Sequence, residues 1–129
     1  MICYILDDQY GKKIYEGLSA LMTDCDFPIQ DNVMNPLDCI DEVIAMQPDY
    51  ILLDNYFPNR IGWREEPLWE EFLKALTWKT LSSKIICISD YGERLIDLYD
   101  TRSAFYHQGK ISSFVDSKDP YDIGLVLTW

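Results

Sequence analysis

Short, continuously apolar runs alternate along the chain with longer stretches in which apolar residues recur every three or four positions. The run "ICYIL" (2–6) ends at Asp7 and Asp8, and from Lys12 onward Ile14, Leu18, Leu21 and Met22 recur at helical spacing. This predicts a strand followed by a helix. A weakly extended stretch around "DFPIQDNVM" precedes "NPLDCIDEVIAM", where Asn35 can cap, Pro36 suits the first helical position, and Leu37, Ile40 and Ile44 line one face. "YILLD" (50–54) reads as a third strand, and "PLWEEFLKALTW" (67–78) as a helix with Leu68, Phe72, Leu73 and Leu76 on one side. "KIICIS" (84–89) is a fourth strand. "ERLIDLYDTRSAFYHQG" begins as a helix, "SSFVDS" is a fifth strand, and "PYDIGLVLTW" is a short last segment.

Strands that are apolar throughout, joined by helix-length crossovers, predict a parallel sheet covered on both faces. The expected class is α/β, a three-layer, doubly wound, five-stranded sheet in a single domain over residues 1–129. In such folds ligands sit beyond the carboxyl ends of the strands. Those ends carry Asp7 and Asp8, Asp54, Ser89 and Lys118. Asp54 is the telling one, because a charge at the margin of an apolar interior costs desolvation energy unless something offsets it.

Composition narrows the partners. The net charge is −11, from 22 acidic residues against 11 Lys and Arg, which repels nucleic acid and anionic lipid alike. No stretch is long and apolar enough to cross a bilayer, and the amino-terminal run is too short for a signal peptide, so a cytoplasmic location is the default expectation. The four cysteines show no CxxC or Cys/His spacing for zinc and are expected to be reduced packing residues.

The chain resembles the receiver domains of two-component response regulators along nearly its whole length. In that family an acidic pair after the first strand holds a divalent metal, and an aspartate ending the third strand is phosphorylated. Here "LDD" and "LLD" fill those slots with Asp7, Asp8 and Asp54. "DNYFPNRIG" supplies the family's proline and glycine, as Pro58 and Gly62, at its offsets from the phosphorylated aspartate. Ser89 in "CISD" stands for the hydroxyl ending the fourth strand, and Lys118 in "VDSKDP" for the lysine ending the fifth. The resemblance implies strand order 2-1-3-4-5 and a signalling domain, not a turnover enzyme. It also implies a sensor histidine kinase or histidine phosphotransfer protein as phosphoryl donor. Output would pass to a homodimer partner or a downstream protein through the face made by the fourth helix, fifth strand and last helix.

The chemistry of the set leads to the same metal. Carboxylates about 4–5 Å apart repel by roughly 4 kcal/mol per pair at an effective dielectric near 20, so the pocket takes up protons or a cation. Mg2+ suits Asp7, Asp8 and Asp54 together with the backbone carbonyl of Tyr56. Asp54 would then attack the phosphoryl group, with Lys118 as its pairing cation and Ser89 moving toward the new oxygens.

Several features depart from the family or admit plainer roles. Asp7 and Asp8 also suit a helix cap, Lys110 is a second candidate lysine, and His107, the single histidine, reads as a helix-end residue. Asp90 stands after Ser89, where the family has a small residue that leaves the phosphoryl group a way in. Phe114 lies four residues before Lys118, one more than the family's switch aromatic, so either a bulge intervenes or Val115 takes that place. The stretches from Gly62 to Ser89 and from Ser89 to Lys118 are longer than usual. The alternative function is a pseudo-receiver, an interaction module that keeps the acidic pocket without switching by phosphorylation. A metal-dependent phosphohydrolase is the third reading, disfavoured because nothing resembles a substrate cap or a second acid/base residue. The last segment is short for a closing helix, which leaves room for the chain to be a piece of a longer regulator.

Overall fold

The computed structural model describes residues 1–54, 57–58, 65–66, 68–76, 81–89 and 111–127. The strands are β1 (Cys3–Leu6), β2 (Tyr50–Leu53), β3 (Phe57–Pro58), β4 (Glu65–Glu66), β5 (Lys84–Ile88) and β6 (Ser113–Val115). β1, β2, β5 and β6 form one wholly parallel sheet in the order β1-β2-β5-β6. β3 and β4 make a separate antiparallel pair, Phe57 opposite Glu66, which the sequence reading did not anticipate.

The helices are α1 (Gly11–Leu21), α2 (Ile40–Met46), α3 (Leu68–Ala75) and α4 (Pro120–Leu127). Successive side chains of a strand point to opposite faces, and both faces of this sheet are covered. Tyr4, Leu6, Ile51, Leu53, Ile85 and Cys87 pack with Val43 of α2 and Leu68, Trp69, Phe72 and Leu73 of α3. Cys3, Ile5, Leu52, Ile86, Ile88 and Val115 pack on the other side with Ile14 and Leu18 of α1 and Ile123 and Leu127 of α4. This explains the unbroken apolar runs: a strand sandwiched between helix layers has no polar face to show. None of the four cysteines is in a disulfide, and three of them are buried.

The second strand expected near residues 26–34 is instead one parallel bridge, Ile2 with Asp26. Around it Cys3 N donates to Asp26 O (2.9 Å) and Asp26 N to Met1 O (2.7 Å). At the far end Val33 N donates to Asp7 O (2.9 Å). The segment therefore flanks β1 and touches it at both ends, so the outermost member of the expected five-stranded order survives as a contracted edge. Pro28 brings no amide to a ladder, and the stretch carries Asp26, Gln30, Asp31 and Asn32 where a buried strand would be apolar.

The helix expected from Asn35 is split. Asn35 caps as predicted, its Oδ1 accepting from Leu37 N at 2.9 Å, but Pro36–Cys39 forms a 3-10 turn before α2 begins. Gln47 ends α2 in the left-handed region (φ 51). Its side chain accepts from Ser82 N and Ser82 Oγ at 2.8 and 3.0 Å, tying the helix end to the approach of β5. In α1, Leu21 faces solvent, 54% exposed, instead of joining the core with Ile14 and Leu18. The expected helix between β5 and β6 lies outside the described residues, as does the carboxyl end of the segment predicted at 67–78.

Helices α1 and α4 approach closely where Gly17 meets Pro120: a Cβ on Gly17 would run into the proline ring. Gly17→Ala gains about 1 kcal/mol of helix propensity but forces an overlap costing about 1–3 kcal/mol. We expect a net loss of about 1 kcal/mol in urea unfolding. Gly124→Ala, whose Cβ would meet only Leu18 and Leu21 side chains at 3.7 and 3.9 Å, should be neutral or stabilising. A Gly17→Ala protein as stable as wild type would show that this contact does not set the helix spacing.

Candidate functional site

The strand register collects the site. Leu6 pairs with Leu53, so Asp7 and Asp54 leave adjacent strands at the same level, and Asp54 N donates to Leu6 O at 2.9 Å. Asp8 follows directly. One carboxylate oxygen from each of Asp7, Asp8 and Asp54 lies within 4.8 Å of the others. Asp7 Oδ1 accepts from Gln9 N (2.9 Å) and Tyr10 N (2.8 Å), which shapes the turn into α1. The capping alternative is not realised at α1, whose start carries no side-chain cap; Asp7 holds the two amides that precede the helix.

The other oxygen, Asp7 Oδ2, is buried and makes no well-formed hydrogen bond. What faces it is the ammonium of Lys118, 2.9 Å away, which stands equally 2.9 Å from Asp54 Oδ1. Asp7 is 0% exposed, Asp54 2% and Lys118 8%, so this is a desolvated triad and not a surface ion pair. Burial works against the Lys118 charge, but the Asp54 and Asp7 carboxylates outweigh it and hold its pKa above the ordinary lysine value. The ring of Tyr10 lies 5.0 Å from the same ammonium.

Among the described residues, three carboxylates meet one ammonium at this edge, a sum of −2 when all are ionised. Burial raises the pKa of Asp8; a hydrogen bond with Asp54 pulls it down, the Asp7 charge pushes it up, and the net shift is upward. The donor set is all oxygen, its ligand atoms converge within 4.8 Å, and the surplus charge among the described residues is that of one divalent cation. These residues fit Mg2+. The carbonyl of Tyr56, expected as a further ligand, lies outside the described residues.

Ser89 closes the same edge. Its amide donates to Val115 O at 3.0 Å, and its hydroxyl donates to Asp116 Oδ1 at 3.2 Å. Asp116 and Tyr10 were missed by the sequence reading. Their signal was position, two residues before Lys118 and three after Asp7, in loops that end at the same sheet edge. Of the two candidates for the aromatic position, Phe114 is 38% exposed and Val115 is buried. Gly62, Asp90, His107 and Lys110 lie outside the described residues.

Comparison with known proteins adds the family of shapes. No family model matches the chain, and no curated protein matches it in sequence. The signal receiver domain of NarL from Mycobacterium tuberculosis superposes with a TM-score of 0.64 at 18% identity, covering 98% of this chain and 92% of that one. The fold is the response-regulator receiver fold. The response regulator domain of Thermotoga maritima CheB shares it at a TM-score of 0.61 and 18% identity, over 99% of this chain and 90% of that one. A signal receiver domain from Vibrio parahaemolyticus does so at 0.62 and 18%, over 98% and 87%. In this chain the receiver fold keeps four paired strands and contracts the fifth, edge position to the Ile2–Asp26 bridge.

Because Asp8 ionises against burial and the Asp7 charge, its folded-state pKa lies above the unfolded value of about 3.9. The folded state therefore binds the extra proton, and stability gains as pH falls through the raised pKa. Without Mg2+, Asp8→Asn should melt above wild type at pH 7. The difference should shrink as the pH falls toward 4, and Mg2+ should narrow it by stabilising wild type alone. Thermal melts showing Asp8→Asn below wild type at pH 7 would contradict this.

Proposed function

We propose that the chain is a receiver domain that accepts a phosphoryl group on the carboxylate of Asp54 from the phosphohistidine of a sensor histidine kinase or histidine phosphotransfer protein. The observation that carries this reading is the single ammonium of Lys118, held 2.9 Å from both Asp7 and Asp54 at the ligand-binding edge of a receiver fold. A buried ion pair meant only to hold the structure would match its charges. Among the described residues this one keeps a surplus of carboxylate.

In the transfer an Asp54 oxygen attacks phosphorus, the new O–P bond forms as the donor's N–P bond breaks, and that bond's electron pair stays on the imidazole nitrogen, which is then protonated. Mg2+ held by Asp7, Asp8 and Asp54, with the Tyr56 carbonyl as a further donor, would offset negative charge on the phosphoryl oxygens. Lys118 contributes a compact, rotatable cation that can leave one carboxylate oxygen for a phosphoryl oxygen with little movement. Burial of Asp54 keeps bulk water from its carbonyl carbon and makes each charge contact stronger than it would be in solvent. Ser89 supplies a hydroxyl donor one strand away, and its engagement would carry the event from β5 into the chain beyond it. The product is a signalling state, read by a homodimer partner or a downstream protein through the face that contains β6 and α4.

The pseudo-receiver reading draws on one residue, Asp90, whose carboxylate follows Ser89 where the family keeps the way in open. One experiment separates the two. Incubation with acetyl phosphate and Mg2+ should add a single phosphate, seen by intact mass and absent in Asp54→Ala. An unmodified wild type together with a modified Asp90→Ala protein would mean a sound pocket behind a blocked entrance, and the pseudo-receiver reading would stand instead.

A further inference from the structure

The chemistry above has no use for the hydrogen bond from Ser89 Oγ to Asp116 Oδ1, yet that bond occupies the hydroxyl the chemistry needs. Its geometry follows from the sheet. Ile88 pairs with Val115, so the next residues, Ser89 and Asp116, leave β5 and β6 side by side, and the 3.0 Å bond from Ser89 N to Val115 O keeps them level. Ser89 is buried while Asp116 is exposed, so the hydroxyl is drawn toward the outer side of the edge. Among the described residues, the polar neighbours along the chain from Asp116 are committed elsewhere. Ser117 Oγ donates to Asp122 Oδ2 at 2.7 Å and accepts from Asp119 N at 3.0 Å, and Lys118 is shared by Asp7 and Asp54.

A hydroxyl has one proton to donate. It can serve the Asp116 carboxylate or a phosphoryl oxygen on Asp54, but not both. We infer that Asp116 is a positioning residue, a competing acceptor that holds Ser89 in the resting arrangement and so sets how readily a phosphorylated pocket recruits it. The inference rests on Asp54 being the phosphoryl acceptor. Both acceptors are anionic, so neither has the advantage of charge, and the exchange is close to balanced. A small change at Asp116 therefore shifts the occupancy of Ser89 severalfold.

The test uses beryllofluoride with Mg2+ as the phosphoryl mimic, with its dissociation constant measured by isothermal titration for wild type, Asp116→Ala, Asp116→Asn, Ser89→Ala and the Ser89→Ala/Asp116→Ala double variant. Asp116→Ala should bind about fivefold more tightly than wild type, the size expected for release of one hydrogen bond to a solvent-exposed partner. Asp116→Asn, which keeps an acceptor oxygen, should fall between them, and it serves alone if the alanine variant does not fold. In the Ser89→Ala background the Asp116 change should have no effect. In the free protein, the Ser89 side-chain couplings seen by NMR should report one rotamer in wild type and averaging in Asp116→Ala.

Equal tightening with and without Ser89 would mean that only the removed charge matters and would overturn the inference. No tightening in Asp116→Ala would overturn it as well, as would a single Ser89 rotamer in that variant. Failure of the parent reading looks different: wild type itself would then take up no beryllofluoride, and the role of Asp116 would fall with that of Asp54.

Discussion

The Lys118 ammonium between Asp7 and Asp54 is the contact on which the rest of the molecule depends. Removing a carboxylate from water costs several kcal/mol even after the protein relaxes, and the β1–β2 register buries two of them side by side. Only a cation delivered to the same point makes that burial tolerable. Much of the distal chain is arranged to deliver it. β6 pairs onto β5, α4 docks on α1 at the Gly17–Pro120 contact, and Asp119 Oδ1 accepts from Tyr121 N at 2.9 Å at the start of α4. Lys118 sits between these two anchors.

Among the described residues that contact still leaves the pocket short of positive charge, and burial and the Asp7 charge oppose the ionisation of Asp8. A sequence under selection for stability alone has a simple remedy there, an asparagine of the same shape. Keeping a third carboxylate whose ionisation is opposed by its surroundings violates local electrostatic consistency, and such violations are expected where function, not folding, sets the residue. The proposed phosphoryl chemistry gives this carboxylate its use.

Legibility from sequence followed the strength of the physical signal. β1, β2 and β5 were readable because strands buried on both faces are written as unbroken apolar runs, and their carboxyl ends were readable because aspartate or serine interrupts those runs abruptly. The Asn35–Pro36 start of the second helical segment was readable because capping is local. The edge segment at 26–33 misled, since its few apolar residues suggest a strand while Pro28 and its polar neighbours leave only its two ends hydrogen bonded to β1. The β3–β4 pair is two residues on each side, too short for any period to register. Asp116 and Tyr10 escaped because what matters about them is register and loop geometry, which no composition or spacing along one segment encodes.

The connectivity of the central triad has a kinetic side. Asp7 and Asp54 meet once β1 and β2 pair, but nearly the whole chain separates Asp7 from Lys118, and the ammonium arrives only when β6 has closed on β5 and α4 has docked. Closing long loops before any contact rewards them is the slow part of folding for non-local topologies. Any route that pairs β1 with β2 before β6 closes on β5 gathers the carboxylates while their cation is still absent. Electrostatic repulsion then opposes collapse, and dissolved divalent ions can stand in for the missing lysine. The same edge that gathers the native carboxylates thus resists their early assembly, a resistance that dissolved salt screens.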